Sequence, residues 1–262
     1  MAQVEEIDVS VPSSRRMRFD WLLPVFFRPA RTMRAVATEE QPQWLLPMLV
    51  LTILTIVLVI VAGPARQQAI LNANVDLPPG YEWMTPEQQQ QYMEAQKGNA
   101  GTAQSYIFPG VAALVGLWLS WFVFGGILHL AMTMLGSRSN TTTAYNLVSW
   151  ASMPFAIRLV VQIIAMLVTK TLITSPGVSG FIAADASGML SYARAILALV
   201  DIYLIWQLVL LIIGAAATGL SRNKAFFGVL AVMLLVLVLS ALPGFGMAQL
   251  SGLNVDRPFI FF

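Results

Sequence analysis

Five long apolar stretches limit what this 262-residue chain can fold into. A helix needs roughly 20 apolar residues to cross the hydrocarbon core of a bilayer. Irregular backbone cannot face lipid, because its N–H and C=O groups would remain unpaired there. The chain is therefore predicted to be all-α, an integral membrane bundle of five transmembrane helices. The predicted spans cover residues 44–63, 107–132, 154–173, 190–216 and 226–246.

The composition favours a membrane protein and excludes several kinds of site. Hydrophobic residues make up 57% of the chain and charged residues 11%, whereas an ordinary soluble domain has about 25% charged residues. The net charge of +2 is too small to indicate nucleic acid as a partner. The chain has no cysteine and one histidine, His129, so it offers neither thiolate nor clustered imidazole ligands. We predict no metal and no cofactor.

The distribution of Lys and Arg predicts the orientation in the membrane. Nine basic residues precede span one or lie in the connections between spans two and three and between spans four and five. They are Arg15, Arg16, Arg18, Arg28, Arg31, Arg34, Arg138, Arg222 and Lys224. The other side has Arg66, Lys97 and Arg257, with Lys170 at a helix end. By the positive-inside rule, the N-terminus is predicted to be cytoplasmic and residues 247–262 to form an extracytoplasmic tail of a protein in the cytoplasmic (inner) membrane.

The cytoplasmic N-terminal region divides into two parts. Residues 1–20 are predicted to be disordered, and the membrane domain is expected to occupy residues 21–246. Within it, residues 21–38 alternate apolar clusters with arginines, a composition that suits a segment lying on an anionic leaflet. Its candidate contacts to lipid headgroups are Arg28, Arg31 and Arg34. The alternative reading is an ordinary juxtamembrane anchor.

Two further connecting segments carry helix signals. The external loop over residues 64–105 contains "TPEQQQQYMEAQK", where Thr85 and Gln88 have the spacing of a capping box and Gly98 is a stop signal. This predicts a short helix over residues 85–97. On the cytoplasmic side, residues 141–152 predict a short interfacial helix that begins near a threonine cap.

Polar residues within the spans are the candidate functional residues. Asp201 interrupts the apolar run "ILALVDIYLIWQLVLLII", and a carboxylate at the centre of a span costs about 2.5–3.5 kcal/mol on insertion scales. Its candidate partners are Arg194, nearly two helical turns earlier on the same face, and Gln162, at similar depth in span three. His129 and Arg158 are predicted to lie at comparable depths in spans two and three. The candidate intramembrane polar network is thus Asp201, Arg194, Gln162, Arg158 and His129.

Two interpretations of Asp201 remain open. In the first, the carboxylate holds helices in register through interhelical hydrogen bonds of about 0.6–2 kcal/mol. In the second, it couples transport to a proton or ion. A single carboxylate makes a poor relay, which favours the first interpretation.

The predicted spans lack several residue patterns of membrane enzymes. Ser120, in "WLSWF", has no Gly-x-Ser context of the rhomboid type, and Asp201 is the single aspartate within the predicted spans, whereas aspartyl intramembrane proteases need two. There is no Gly-x4-Gly-Lys phosphate-binding loop. We expect no enzymatic activity.

Three passages taken together resemble the Yip family, the Ypt/Rab-interacting polytopic membrane proteins, in a bacterial form. The first is "FRPARTMRAVATEEQPQWLLPMLVLTIL", a short helix led by proline, then a gap, then span one. The second is "LGSRSNTTTAYNLVSWASMPFAI", a turn, a short helix and the proline that opens span three. The third is "LVDIYLIWQLVLLIIGAAATGLSRNKA", span four and its basic turn.

The resemblance implies five spans, a cytosolic N-terminus and a role in binding rather than catalysis. Eukaryotic members bind small GTPases and each other, and some bacterial relatives accompany ABC-type export systems. We therefore expect a binding, scaffold or accessory subunit of a membrane complex. Its expected partners are membrane lipids and other integral membrane proteins, an ABC-type exporter or further copies of itself. The alternative is a transporter for a small solute, ion or lipid that uses Asp201.

Overall fold

The computed structural model describes residues 17–72, 80–99, 101–173, 175–183 and 186–250, and these residues form helices without β-strands. The helices are α1 (Pro24–Phe27), α2 (Pro29–Thr38), α3 (Leu45–Asn72), α4 (Pro86–Asn99), α5 (Phe108–Met134), α6 (Thr141–Ala151), α7 (Pro154–Thr169), α8 (Met189–Leu199), α9 (Ile202–Ala217) and α10 (Arg222–Leu250). A π-helical segment, Ala103–Ile107, leads directly into α5. The all-α fold predicted from the sequence is confirmed.

Four helical stretches within the described residues are long and apolar enough to cross a membrane. They are Leu45–Leu71, Ala103–Met134, Thr141–Thr169 and Arg222–Leu242. A fifth crossing results if α8 and α9 form one span, although they meet at an angle of 66°. The protein is therefore a multi-pass membrane protein with four continuous spans and one bent pair.

The structure moves several predicted boundaries. Helix α3 continues through Pro64 to Asn72, so the first part of the predicted external loop 64–105 is helical. The Ala and Gln residues after Pro64 are good helix formers, which sustains the helix beyond the apolar run. Helix α10 runs to Leu250, so the first residues of the predicted tail are also helical, while residues 251–262 lie outside the described residues.

Part of the N-terminal region predicted to be disordered, residues 17–20, is structured. Residues 1–16 lie outside the described residues, but Phe19–Trp21 forms a turn of 3₁₀-helix. Arg18 forms ion pairs with Asp20 and Glu39 at 3.0 and 3.4 Å. The hydrogen bonds to Asp20 raise the pKa of Arg18. The chain is thus already structured at Arg18, because these ion pairs tie it to the end of α2.

Helix α2 is amphipathic and packs against α6 and α9. Its buried face carries Thr32, Met33, Val36 and Ala37. Gly214 of α9 allows this close packing, since a Cβ atom there would lie 3.2 Å from Met33 Cε and would collide with Leu147 Cδ2. The arginines of the segment face outward, and α2 is therefore a buried part of the bundle with a basic outer face.

Helix α6 binds the linker that leads into α3. The Asn146 side chain accepts a hydrogen bond from Gln43 N at 2.7 Å and donates one to Gln41 O at 2.8 Å. Trp150 Nε1 donates to Gln43 O at 3.0 Å. The predicted helix over residues 141–152 is present, but its cap is Asn140, whose side chain accepts from Thr143 N. Because α6 is buried by α2, α5 and α9, it fixes where the first span begins.

Basic connections meet at one end of the bundle. Lys224 Nζ donates to Leu135 O at 3.1 Å, and Ser137 and Thr218 are joined through their hydroxyls at 3.0 Å. These contacts hold the connection containing Arg138 against the turn that precedes α10. The positive-inside rule favours a cytoplasmic location for this end.

The predicted capping box is present in the segment between the first two spans. Thr85 N donates to the Gln88 side chain at 3.1 Å, and Gln88 N donates to Thr85 Oγ1 at 3.4 Å. Helix α4 runs past Gly98 to Asn99. Hydrogen bonds from its own backbone N–H and from Thr85 hold the pKa of Glu87 below its usual range. This short helix forms as the local sequence predicts.

The orientation can be tested by labelling single cysteines in the cysteine-free chain. Glu82→Cys should react with a membrane-impermeant maleimide on intact cells, because the charge distribution places this segment outside. Asn223→Cys, which is also exposed, should react only after the membrane is opened. The reverse pattern would overturn the predicted orientation.

The role of Asn146 can be tested by thermal unfolding in detergent micelles. Asn146→Ala leaves Gln43 N buried without its acceptor, and we expect a loss of about 2 kcal/mol in stability. The exposed Asn223→Ala is the matched control and should change stability by no more than about 0.5 kcal/mol. Equal midpoints for the two variants would show that the linker does not depend on Asn146.

Candidate functional site

Asp201 marks a break between two helices rather than the centre of one. Helix α8 ends at Leu199 and α9 begins at Ile202, with Asp201 as the N-cap of α9. Its Oδ1 atom accepts hydrogen bonds from Tyr203 N and Leu204 N, both at 2.9 Å. Aspartate is a preferred N-cap residue because it pairs two N–H groups that the helix leaves open. The carboxylate therefore makes the break tolerable within an apolar run.

The other side of the break is satisfied by the loop after α7. Val178 N lies 3.1 Å from both Leu197 O and Val200 O, at the end of α8. Gly177 has φ of +58°, and a Cβ atom there would lie 2.7 Å from the same two carbonyl oxygens. Only glycine fits this approach of one backbone to another. The loop thus supplies a donor to two carbonyl groups at the end of α8, of which Leu197 O also accepts from Val200 N.

Arg158 of α7 forms an ion pair with Asp201. Its Nε atom lies 3.1 Å from Asp201 Oδ2, and both side chains are largely buried. The guanidinium also lies 5.9 Å from the centroid of the Phe155 ring. Removing either charge would leave the other buried and unpaired, which is strongly unfavourable. This pair therefore locks α7 to the start of α9.

A cavity of about 200 Å³ lies beside the ion pair, between α3, α5, α7, α9 and α10. Most of its wall is apolar, including Leu51, Phe124 and Leu237. Its polar wall contains Arg158, Gln162, Gln207, Ser152, Ser120, Thr55, Ser240 and Arg66. Gln207 Nε2 donates to Ser152 Oγ at 2.8 Å. The site is a largely apolar cavity with cationic and hydrogen-bonding groups.

The structure assembles the predicted polar network only in part. Arg158 rather than Gln162 is the side chain that contacts Asp201, while Gln162 lines the cavity. The inference that Arg194 shares a face with Asp201 is wrong, because the helix is broken between them. Arg194 Nη2 instead lies 3.5 Å from Ser175 Oγ. The ion pair was missed because the sequence does not show which helices are neighbours.

His129 also lies apart from this pair. Its Nε2 atom is 3.2 Å from Thr141 Oγ1, at the start of α6. The break itself had a sequence signal, because an aspartate immediately before an apolar periodic run is a helix start signal. No comparable signal in the sequence indicated that Gly177 and Val178 contact the end of α8. It showed only the turn-forming residues "SPG".

The three arginines proposed as headgroup contacts are all exposed. Arg28, Arg31 and Arg34 lie on the outer face of the N-terminal helices, opposite the face that packs on α6 and α9. This placement leaves them accessible to lipid phosphates. In the part of the chain that the structure describes, no three His, Asp or Glu side chains come close enough to hold a metal ion.

Comparison with known proteins identifies one family. A family model described as the Yip1 domain matches residues 23–242, most of the chain. No curated protein and no solved structure matches this chain. The matched region contains all the elements that form the ion pair and the cavity.

A double-mutant cycle tests the ion pair. Arg158→Gln and Asp201→Asn should each lower the stability in detergent by about 3 kcal/mol, because each leaves a buried charge unpaired. Asparagine keeps the N-cap, so the Asp201→Asn effect reports the charge. The double variant should lose clearly less than the sum of the two.

Arg194→Gln is the control for this cycle. The stability losses of Arg194→Gln and Asp201→Asn should add in the double variant, since Arg194 contacts Ser175 and not Asp201. Additivity for Arg158 and Asp201 as well would show that the two charges do not stabilise each other.

Proposed function

The chain belongs to the Yip1 domain family, and from this premise we propose that it is a non-catalytic subunit that binds or scaffolds other proteins of a membrane complex. The proposed location is the cytoplasmic membrane. The family resemblance supports an ABC-type exporter as the partner, with a further copy of the chain as the second possibility. Membrane lipids are its further proposed partners.

The engagement of Asp201 is the observation that carries this proposal. One carboxylate oxygen accepts hydrogen bonds from two backbone N–H groups, and the other forms the ion pair with Arg158. A coupling carboxylate must gain and lose a proton during each cycle. The carboxylate of Asp201 instead caps α9 and forms an ion pair with Arg158 of α7. Its role is therefore to hold the helices together, which supports a binding protein over a proton-coupled carrier.

The cavity beside the ion pair supports a second candidate function. A transporter for a small solute, ion or lipid needs a central site, and broken helices near such sites are common in transporters. In this alternative, Asp201 would leave its contacts with Arg158 during transport. The two functions differ in whether the chain alone moves a solute.

Reconstitution of the purified chain into liposomes separates the two. We expect no proton flux above that of empty liposomes, because Asp201 stays engaged. Flux that disappears in Asp201→Asn, with Arg194→Gln as the control that retains it, would favour the transporter.

Assembly with a partner protein is measured on the chain expressed in its native membrane. The tagged chain, extracted in mild detergent, should co-purify with an identified ABC-type exporter subunit in constant stoichiometry. A single cysteine at the exposed Leu119 should cross-link to that subunit, whereas one at the cavity-lining Leu117 should not. Purification of the chain without any exporter subunit would contradict the proposed partner.

A further inference from the structure

The guanidinium of Arg158 has unused capacity to donate hydrogen bonds. Only 7% of the residue is exposed, and its Nη2 atom is buried without a hydrogen-bond acceptor among the described residues. A buried cationic donor without an acceptor costs free energy. Since Arg158 lines the cavity, an acceptor placed in the cavity is able to reach this side chain.

The charge of the cavity wall favours an anion. Its two ionisable lining residues, Arg158 and Arg66, are both arginines, and none of the described residues that line it is Asp or Glu. The nearby Asp201 carboxylate is already neutralised by two N–H groups, the start of α9 and Arg158 Nε. Beyond this ion pair, the wall carries the positive charge of Arg66 and the unused donor of Arg158, which favours an anion over a cation.

The rest of the wall selects a ligand with an apolar part. Apolar side chains form most of the lining, among them Leu, Met, Val and Phe residues of α3, α5 and α10. A volume of about 200 Å³ has room for roughly half a dozen water molecules, but water is held only where several polar partners converge. An apolar chain fits this part of the wall better than water does.

We propose that the cavity is a binding site for an anionic amphiphile. A phosphate or carboxylate oxygen accepts from the guanidinium of Arg158, hydroxyl and amide groups such as Ser152 and Gln162 surround it, and the apolar part lies against Leu51 and Leu237. This binding is independent of assembly with a partner protein. Arginine is well suited to this role because its fork of donors matches phosphate and carboxylate oxygens.

The anionic oxygen can come from an acidic phospholipid or from free phosphate. The cavity lies between helices that are long and apolar enough to cross a membrane, which makes a bilayer lipid one source of the ligand. Both sources are tested with delipidated protein by native mass spectrometry. The probes are dioleoyl phosphatidylglycerol, dioleoyl phosphatidylcholine with the same chains, and inorganic phosphate as a competitor.

Wild-type protein should bind one phosphatidylglycerol more tightly than phosphatidylcholine, by roughly tenfold to a hundredfold, the range for hydrogen bonds to charged groups. Competition by inorganic phosphate would identify a free anion as a sufficient ligand, and its failure would identify the lipid; both support an anionic site. Equal affinity for the two lipids would overturn the proposal.

Variants locate the site without depending on a single substitution. The double variant Arg158→Gln/Asp201→Asn removes the donor without leaving an unpaired charge, and it should lose the preference for phosphatidylglycerol. Ala113→Phe fills the cavity, keeps the ion pair, and should weaken binding of phosphatidylglycerol to a similar extent.

Arg138→Gln is the matched control. It removes an exposed arginine away from the cavity and should leave the preference intact. If the cavity variants bind phosphatidylglycerol as the wild type does, or if Arg138→Gln alone removes binding, the cavity is not the site.

Discussion

The ion pair between Arg158 and Asp201 is the interaction on which the arrangement of the membrane helices depends. A helix that ends inside an apolar environment exposes N–H and C=O groups that lipid cannot pair. Asp201 pairs the N–H groups of α9, Val178 donates to the carbonyl groups of α8, and Arg158 balances the charge of Asp201. A sharp bend in a span is stable here because each of these groups has a partner from another element.

A cavity lies beside the bend. Helices α8 and α9 meet at 66°, and both pack against α10. The space beside the ion pair is then lined by the spans on either side, and Arg158 retains a donor that faces no protein acceptor. The same residue thus stabilises the fold and supplies the chemistry of the proposed ligand site. The cytoplasmic end is organised separately, since α6 binds the linker before α3 through Asn146 and Trp150.

Local patterns predicted the elements well, and pairings between elements poorly. The apolar runs identified the membrane segments, and the spacing of Thr85 and Gln88 predicted the capping box that begins α4. The partner of Asp201 was not predicted correctly. Spacing along one continuous helix suggested Arg194, and estimated depth suggested Gln162, but the helix is broken and α7 presents Arg158. A pairing between helices depends on their rotation and neighbours, which one sequence does not reveal.

The sequence by itself determined that this is a multi-pass all-helical membrane protein, because the length and apolarity of its runs are set by the thickness of the bilayer. It also predicted that Asp201 needs a partner, since a buried charge must be compensated. Only the tertiary structure decided that this partner is Arg158, that α8 and α9 meet at a sharp angle, and that a cavity with an open donor lies beside them. These features arise from contacts between residues far apart in the chain, where packing rather than local preference selects the neighbour.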